Sequence, residues 1–370
     1  MKITKVVAEL YAKPYDTPIS NGKYTYYASK NVMVRVQTDE GLEGVGICGA
    51  GGLGQPHGRD VIVSVVNDMQ QALIGEDPHN VERIWESLYQ PKLFGRKGLT
   101  TRALSAIDIA LWDVISQAAE LPLYRLLGGY TDEVRAYIAG GYYQEGKGLR
   151  ELQDEMLGYL EQGAKAVKMK VGAASLREDE ARVAAVRDAI GDEVDLLVDA
   201  NNAYVAADAV RMAKLLERHD AFWFEEPVSP DNMRGSAATA RASSVPVAAG
   251  ENEYTRWGFR ELFEAGAVDI VNPDAMVLGG ITEYRKVAAL AAAYEIPIAP
   301  HGLQEIHIHL LSAFPMPLIL EYYNANVAGL GDIMFHERLE LTDRGTVEVP
   351  QGPGLGVAVN WEALAEYKVE

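Results

Sequence analysis

Between Val134 and Tyr323 eight short apolar runs alternate with longer amphipathic stretches, and this pattern limits the possible folds more than any other feature. The runs are VRAYIAGG, AVKMKVG, LLVDAN, FWFEEP, VPVAAGEN, VDIVNPDA, PIAP and LILEYY, most of them separated by helix-length segments. Strands that are apolar on both faces and alternate with helices call for a parallel sheet covered on both sides. About 190 residues for eight units lies near the low end for a (β/α)8 barrel. A doubly wound open sheet is the rival, but its phosphate-cradling glycine fingerprint is missing. Gly49, Gly51, Gly52 and Gly54 cluster with no strand–helix frame around them. The fold class expected is α/β, a modified (β/α)8 barrel.

The flanks read differently. NVMVRVQTDEGLEGVGIC places two apolar runs around Thr38-Asp39-Glu40-Gly41, a hairpin pattern. From Ile62 to Gly128 the period becomes helical and ends at Gly128-Gly129. Residues 1–128 are therefore expected to form an α+β module and residues 129–323 the barrel. Residues 324–370 contain a hairpin-like stretch, LELTDRGTVEVPQGPGLGV, expected to pack back on the N-terminal module.

Composition removes several classes of function. Acidic residues outnumber basic ones 53 to 34, a net charge of −19, which opposes nucleic acid or an anionic membrane as partner. Cys48 is the only cysteine, which excludes an internal disulfide and suits a reducing, cytoplasmic setting. The opening MKITKVVAELYAK reads as a strand, not as the apolar core of a signal peptide. No apolar run is long enough to span a bilayer.

In such a barrel the chemistry sits at the C-terminal ends of the strands. Asp199, Glu225, Glu251, Asp274 and His301 fall at strand ends at intervals of 26, 26, 23 and 27 residues, one βα unit each. Three carboxylates converging from adjacent strands would repel unless a cation joined them, and oxygen-only ligands suit Mg2+. Asp199, Glu225 and Glu251 are the expected ligands; Glu226 should point away from Glu225. Lys168 and Lys170 share one strand face, where each should lower the other's pKa and suit one of them to act as a base. Asp274 is placed to orient His301. His307 and His309 cannot share a helix face and are read as structural, with His307 or Glu305 as outside candidates to support the site.

VKMKVG, VDANNA, WFEEP, GENE, PDAMVLGG, PHGLQE and LILEYY, in this order, resemble the enolase superfamily, specifically its mandelate racemase subgroup. The similarity runs over essentially the whole chain, with SAIDIALWDVISQAAELPLYRLLGG resembling the family's capping domain. The resemblance implies one Mg2+ on Asp199, Glu225 and Glu251. It implies Lys170 as base, Lys168 as its neighbour and carboxylate contact, and His301 with Asp274 on the opposite face. Glu321 would donate to the substrate carboxylate and so would be protonated. Asn201 and Asn252 would line the site.

The same residues serve two outcomes. With a β-hydroxyl present the enediolate loses water and gives a 2-keto-3-deoxy acid; without one, the α-carbon is racemised or epimerised. The subgroup's membership favours an acid-sugar dehydratase, with a 2-hydroxy-acid racemase or epimerase as the alternative and a metal-dependent hydrolase as a remote one. Specificity is expected in Pro14 to Lys30, where Tyr24 and Asn21 could bind a polyol, and in Gly49 to Arg59. A second carboxylate on the substrate would need a cation such as Lys23, Arg59 or Arg96. Relatives imply a homo-oligomer, anywhere from dimer to octamer.

Overall fold

Gly41 turns the predicted hairpin with φ +82°, a backbone region that costs glycine nothing. The computed structural model describes residues 1–49 and 61–369. Strands β1 (Ile3–Ser20), β2 (Thr25–Thr38) and β3 (Glu43–Gly49) form an antiparallel sheet in chain order. On β2, Val32, Val34 and Val36 share one face and are fully buried, and Met33 is buried on the other. The helix Leu99–Ala118 covers the valine face and approaches unusually closely. A Cβ on Gly46 would stand 1.7 Å from the Ala106 carbonyl oxygen, so strand and helix backbones are nearly in contact.

The barrel follows. Strands β4 (Glu133–Ala139), β5 (Ala166–Lys170), β6 (Asp195–Asp199), β7 (Ala221–Glu225), β8 (Val247–Ala249) and β9 (Ile270–Val271) pair in parallel, in chain order. The seventh stave shrinks to Ile298, which bridges Val271 on one side and Pro317 on the other. Pro297 and Pro300 flank it and lack the N–H groups a longer ladder needs, which explains why PIAP gives one bridge instead of a strand. Strand β10 (Leu320–Tyr322) then pairs with β4 and closes the ring. Tyr137, Ala139, Ala166, Leu197, Trp223, Ala248, Ile270, Ala299 and Ile319 fill its interior.

The tail goes partly elsewhere than expected. Strand β11 (Thr346–Glu348) pairs antiparallel with Glu133–Arg135 at the start of β4, so this part joins the barrel. The reason is an open edge: β10 and β5 occupy only the later residues of β4. The last residues do reach the N-terminal sheet, with Tyr367 O accepting from Ala12 N and Leu10 O from Val369 N.

Candidate active site

The β4–β10 ring aims its strand ends at one mouth, and the N-terminal sheet reaches over it. At Gly22, between β1 and β2, a Cβ would meet Ala200 O at 2.5 Å and Val171 O at 2.7 Å. Only glycine lets this turn rest on the ends of β5 and β6.

Beneath that turn the ionisable strand ends converge. One ligand atom each from Asp199, Glu225 and Glu251 lies within 4.8 Å of the others. Lys170 Nζ is 2.5 Å from Asp199 Oδ2. Lys168 Nζ lies 3.1 and 3.0 Å from the two Glu225 oxygens and 2.6 Å from Glu321 Oε1. On the far side, His301 Nε2 is 3.6 Å from Glu251 Oε2 and 3.8 Å from Glu321 Oε2. Its Nδ1 meets Asp274 Oδ2 at 2.9 Å. Lys170 therefore touches the β6 end of the acidic triad and His301 the β8 end, with Glu225 between them.

Two electrostatic expectations need correction. Lys168 and Lys170 were expected to depress each other's pKa, yet both are raised. Burial would lower them, but Glu225 and Glu321 outweigh it at Lys168, and Asp199 does so at Lys170. The mutual repulsion is present but smaller than these contacts. Glu321 was expected to carry a proton; against the upward push of burial, Lys168 and His301 hold it down at about 2. It is a carboxylate here, accepting from Gly302 N at 3.1 Å. Burial and the neighbouring acids push Glu225 the other way, up to about 8 against the pull of Lys168. His301 sits at about 10: burial opposes its charge, but Glu251, Glu321 and the Asp274 hydrogen bond prevail.

The supporting residues have defined partners. Asn201 N donates to Asp199 Oδ1 at 2.8 Å, while its own Oδ1 is buried without a partner. Asn252 Nδ2 donates to Glu226 at 2.9 and 3.1 Å and approaches Glu251 Oε1 at 3.4 Å. Glu226 also accepts from Asn202 at 2.8 Å, so it points away from the triad into its own amide cradle. His307 accepts from Ala275 N at 3.0 Å on Nε2 and faces Leu303 O at 2.9 Å through Nδ1, next to Asp274. Its Nε2 lies 3.3 Å from Asp274 Oδ1, beside the acid that orients His301.

Two models of known families match the sequence: the mandelate racemase / muconate lactonizing enzyme N-terminal domain over residues 3–128, and the enolase C-terminal domain-like family over residues 151–363. The chain belongs to the enolase superfamily, in its mandelate racemase subgroup. An arabinonate dehydratase of Saccharolobus solfataricus is 38% identical over 343 residues, 91% of this chain and 90% of that one. An L-talarate/galactarate dehydratase of Salmonella typhimurium is 33% identical over 98% of this chain and 90% of its own. Among solved structures, an L-talarate/galactarate dehydratase mutant with Mg and L-glucarate superimposes with TM-score 0.91 at 32% identity, covering 99% and 92% of the two chains. A Streptomyces coelicolor A3(2) racemase with bound magnesium does so with TM-score 0.91 at 33% identity, covering 99% and 100%.

As an enolase-superfamily site the acidic triad fits a hard divalent ion. It offers oxygen donors only, and Glu251 Oε2 is a buried oxygen without a hydrogen-bond donor. The lid candidates fare unevenly. Tyr24 is 53% exposed and Lys23 Nζ lies over its ring, 5.8 Å from the centroid, so neither turns inward. The cause is Asn21: its Oδ1 takes the N–H groups of Lys23 and Tyr24 at 2.8 and 2.7 Å, forming a tight Asx turn. Its amide donates to the Tyr26 hydroxyl at 2.9 Å instead of waiting for a polyol. Tyr26 is the tyrosine that reaches the mouth, where Lys170, Glu251 and Asp199 act on its hydroxyl. Arg59 lies outside the described residues, and Arg96 is exposed.

Sequence reasoning missed three aromatic residues. Trp223 Nε1 donates to Glu225 Oε2 at 3.0 Å, and Lys168 Nζ donates to the Tyr137 hydroxyl at 3.2 Å. The two rings meet edge to face, 5.4 Å apart, as the floor of the site. Tyr142 places its ring 5.1 Å from Lys170 Nζ. Trp223 and Tyr137 sit at core-facing strand positions, and nothing in the sequence separates them from ordinary packing.

Proposed function

We propose that this chain is a Mg2+-dependent dehydratase of an acid sugar, releasing water to give a 2-keto-3-deoxy acid. Residues 129–323 carry the chemistry, and residues 1–128 form the cap, which the last residues of the chain rejoin while Thr346–Glu348 stay with the barrel. The observation that carries the reading is the acidic triad flanked by Lys170 at its Asp199 end and His301 at its Glu251 end.

The proton α to a carboxylate is very weakly acidic, because removing it places two negative charges on one small unit. A divalent ion held by Asp199, Glu225 and Glu251 supplies the Lewis acidity that offsets this cost. Lys170 is placed to take the proton from one face. Lys168, fixed by Tyr137 and Glu225, keeps a permanent positive charge beside the substrate carboxylate. On the opposite face His301, held in register by Asp274, donates a proton to the departing β-hydroxyl. Asn252 and Asn201 hold the acids in place from outside the triad.

The racemase alternative uses the same groups, but the curated relatives favour elimination. Besides the two dehydratases, the chain is 32% identical to a D-xylonate dehydratase of Haloferax volcanii over 96% of its length. A hydrolase would draw on histidine ligands, and among the described residues the group that could hold a metal contains none. The deciding experiment incubates acid sugars with the enzyme and Mg2+ in D2O and follows keto product and α-deuterium together. Keto product supports the proposal; exchange or inversion without it establishes an isomerase.

A further inference from the structure

Two of the three acids in the triad are placed by the barrel itself. Asp199 and Glu225 are the last residues of β6 and β7 and lie opposite each other in the register, with Ala248 of β8 opposite Glu225. Both side chains are buried, and each is gripped by a lysine. Glu251 has no such ladder. Strand β8 ends at Ala249, so Glu251 stands on the bend that leads to the helix Thr255–Glu264, and its side chain is 12% exposed.

The N-terminal module takes hold of that bend. Glu253, two residues beyond Glu251, is 3% exposed, and Lys97 Nζ lies 2.6 Å from its Oε1. The same oxygen accepts from Tyr254 N at 2.8 Å. Gly258 makes room for the carboxylate, since a Cβ there would come within 2.1 Å of Glu253 Oε1. Next along the chain, the Tyr254 hydroxyl accepts from Arg102 Nε at 3.3 Å, and Arg256 reaches Glu86 at 3.3 Å. Between those two contacts Thr255 has φ +56°, a left-handed backbone that a β-branched residue adopts only when its surroundings impose it. The bend is thus strained, and contacts from the cap help to hold it.

Among these contacts Lys97 has a particular place. A buried carboxylate needs a counter-ion, and among the described residues Lys97 is the cation paired with Glu253. We propose that Lys97 is a positioning residue for the metal site. Through Glu253 it fixes the bend that presents Glu251, so that an ion pair between the cap and the barrel helps set the affinity for Mg2+. The inference rests on the reading of Asp199, Glu225 and Glu251 as the Mg2+ ligands.

The test is a calorimetric titration of chelator-treated protein with Mg2+. It compares wild type with Lys97→Met, Lys97→Arg, Glu253→Gln and the double variant Lys97→Met/Glu253→Gln. Lys97→Met should raise the Kd about three- to tenfold, at or below the loss found when a residue bonded directly to a metal ligand is removed. Lys97→Arg keeps the charge and should recover part of that loss. The double variant should bind no more weakly than the weaker single one, because both changes break the same pair. Trp112→Phe is the control. It removes a different contact between cap and barrel, the indole N–H on Thr282 Oγ1 at 2.9 Å, and should leave the Kd within about twofold of wild type. The number of sites per chain separates misfolding, which lowers it, from a weakened site, which does not. A rise of less than threefold in Lys97→Met, or an equal rise in Trp112→Phe, would overturn the inference. Glu251→Gln tests the reading beneath it: Mg2+ bound as tightly as by wild type would remove Glu251 from the metal site.

Discussion

His309 gives a stability prediction with a definite sign. In the helix Gln304–Ala313 it is fully buried between Tyr124 and Leu355 of the C-terminal segment. Nε2 faces the Leu355 carbonyl at 2.9 Å, and Nδ1 receives the Tyr124 N–H at 3.4 Å. A second ring proton would point straight at that N–H. Burial accordingly pulls the pKa down to about 4 from 6.5, despite the Leu355 contact. Between those values the unfolded chain binds a proton that the native protein refuses, so stability is complete above pH 6.5 and falls as the pH drops toward 4. At about 1.4 kcal/mol per unit the full effect is about 3 kcal/mol, most of it lost by pH 4.5. For a chain of this size that is a shift of about 3 °C in melting temperature. Thermal melts at pH 7.5 and 4.5 should show wild type losing that much more than His309→Gln, which keeps a donor toward Leu355. Identical pH dependence in the two proteins would refute the reasoning.

Lys170→Ala and His301→Asn should each abolish turnover while shifting the melting temperature little; full activity in either removes that residue from the mechanism. Trp223→Phe deletes the indole N–H on Glu225 and should weaken Mg2+ binding about tenfold, measured by calorimetric titration. A Kd within twofold of wild type would mean that the contact positions nothing. Gly46→Ala should destabilise the N-terminal module by about 3 kcal/mol or prevent folding, because the added methyl has backbone at 1.7 Å. A wild-type melting temperature would show that strand and helix are not so close.

The sequence exposed those parts of the site that depend on chain spacing. Asp199, Glu225 and Glu251 were legible because each βα unit repeats a fixed length and leaves one residue at the mouth. PIAP read as a full strand because the apolar pattern hides the two missing proline donors. Tyr24 was favoured over Tyr26 because tyrosines look alike in a loop, whereas one Asn21 side chain decides which turns inward. The lysine pair was misjudged for a similar reason. The strand shows two like charges side by side, but the acids facing them come from β6, β7 and β10.

The two ammonium groups that grip Asp199, Glu225 and Glu321 have one more consequence. The acids carry internal counter-ions, so stripping divalent ions with a chelator need not leave bare negative charges to drive the barrel apart. Treated protein should keep its shape, fall silent and recover on adding Mg2+. Asp199 would hold the returning cation in place of its contact with Lys170, which would link loading of the site to freeing of the amine.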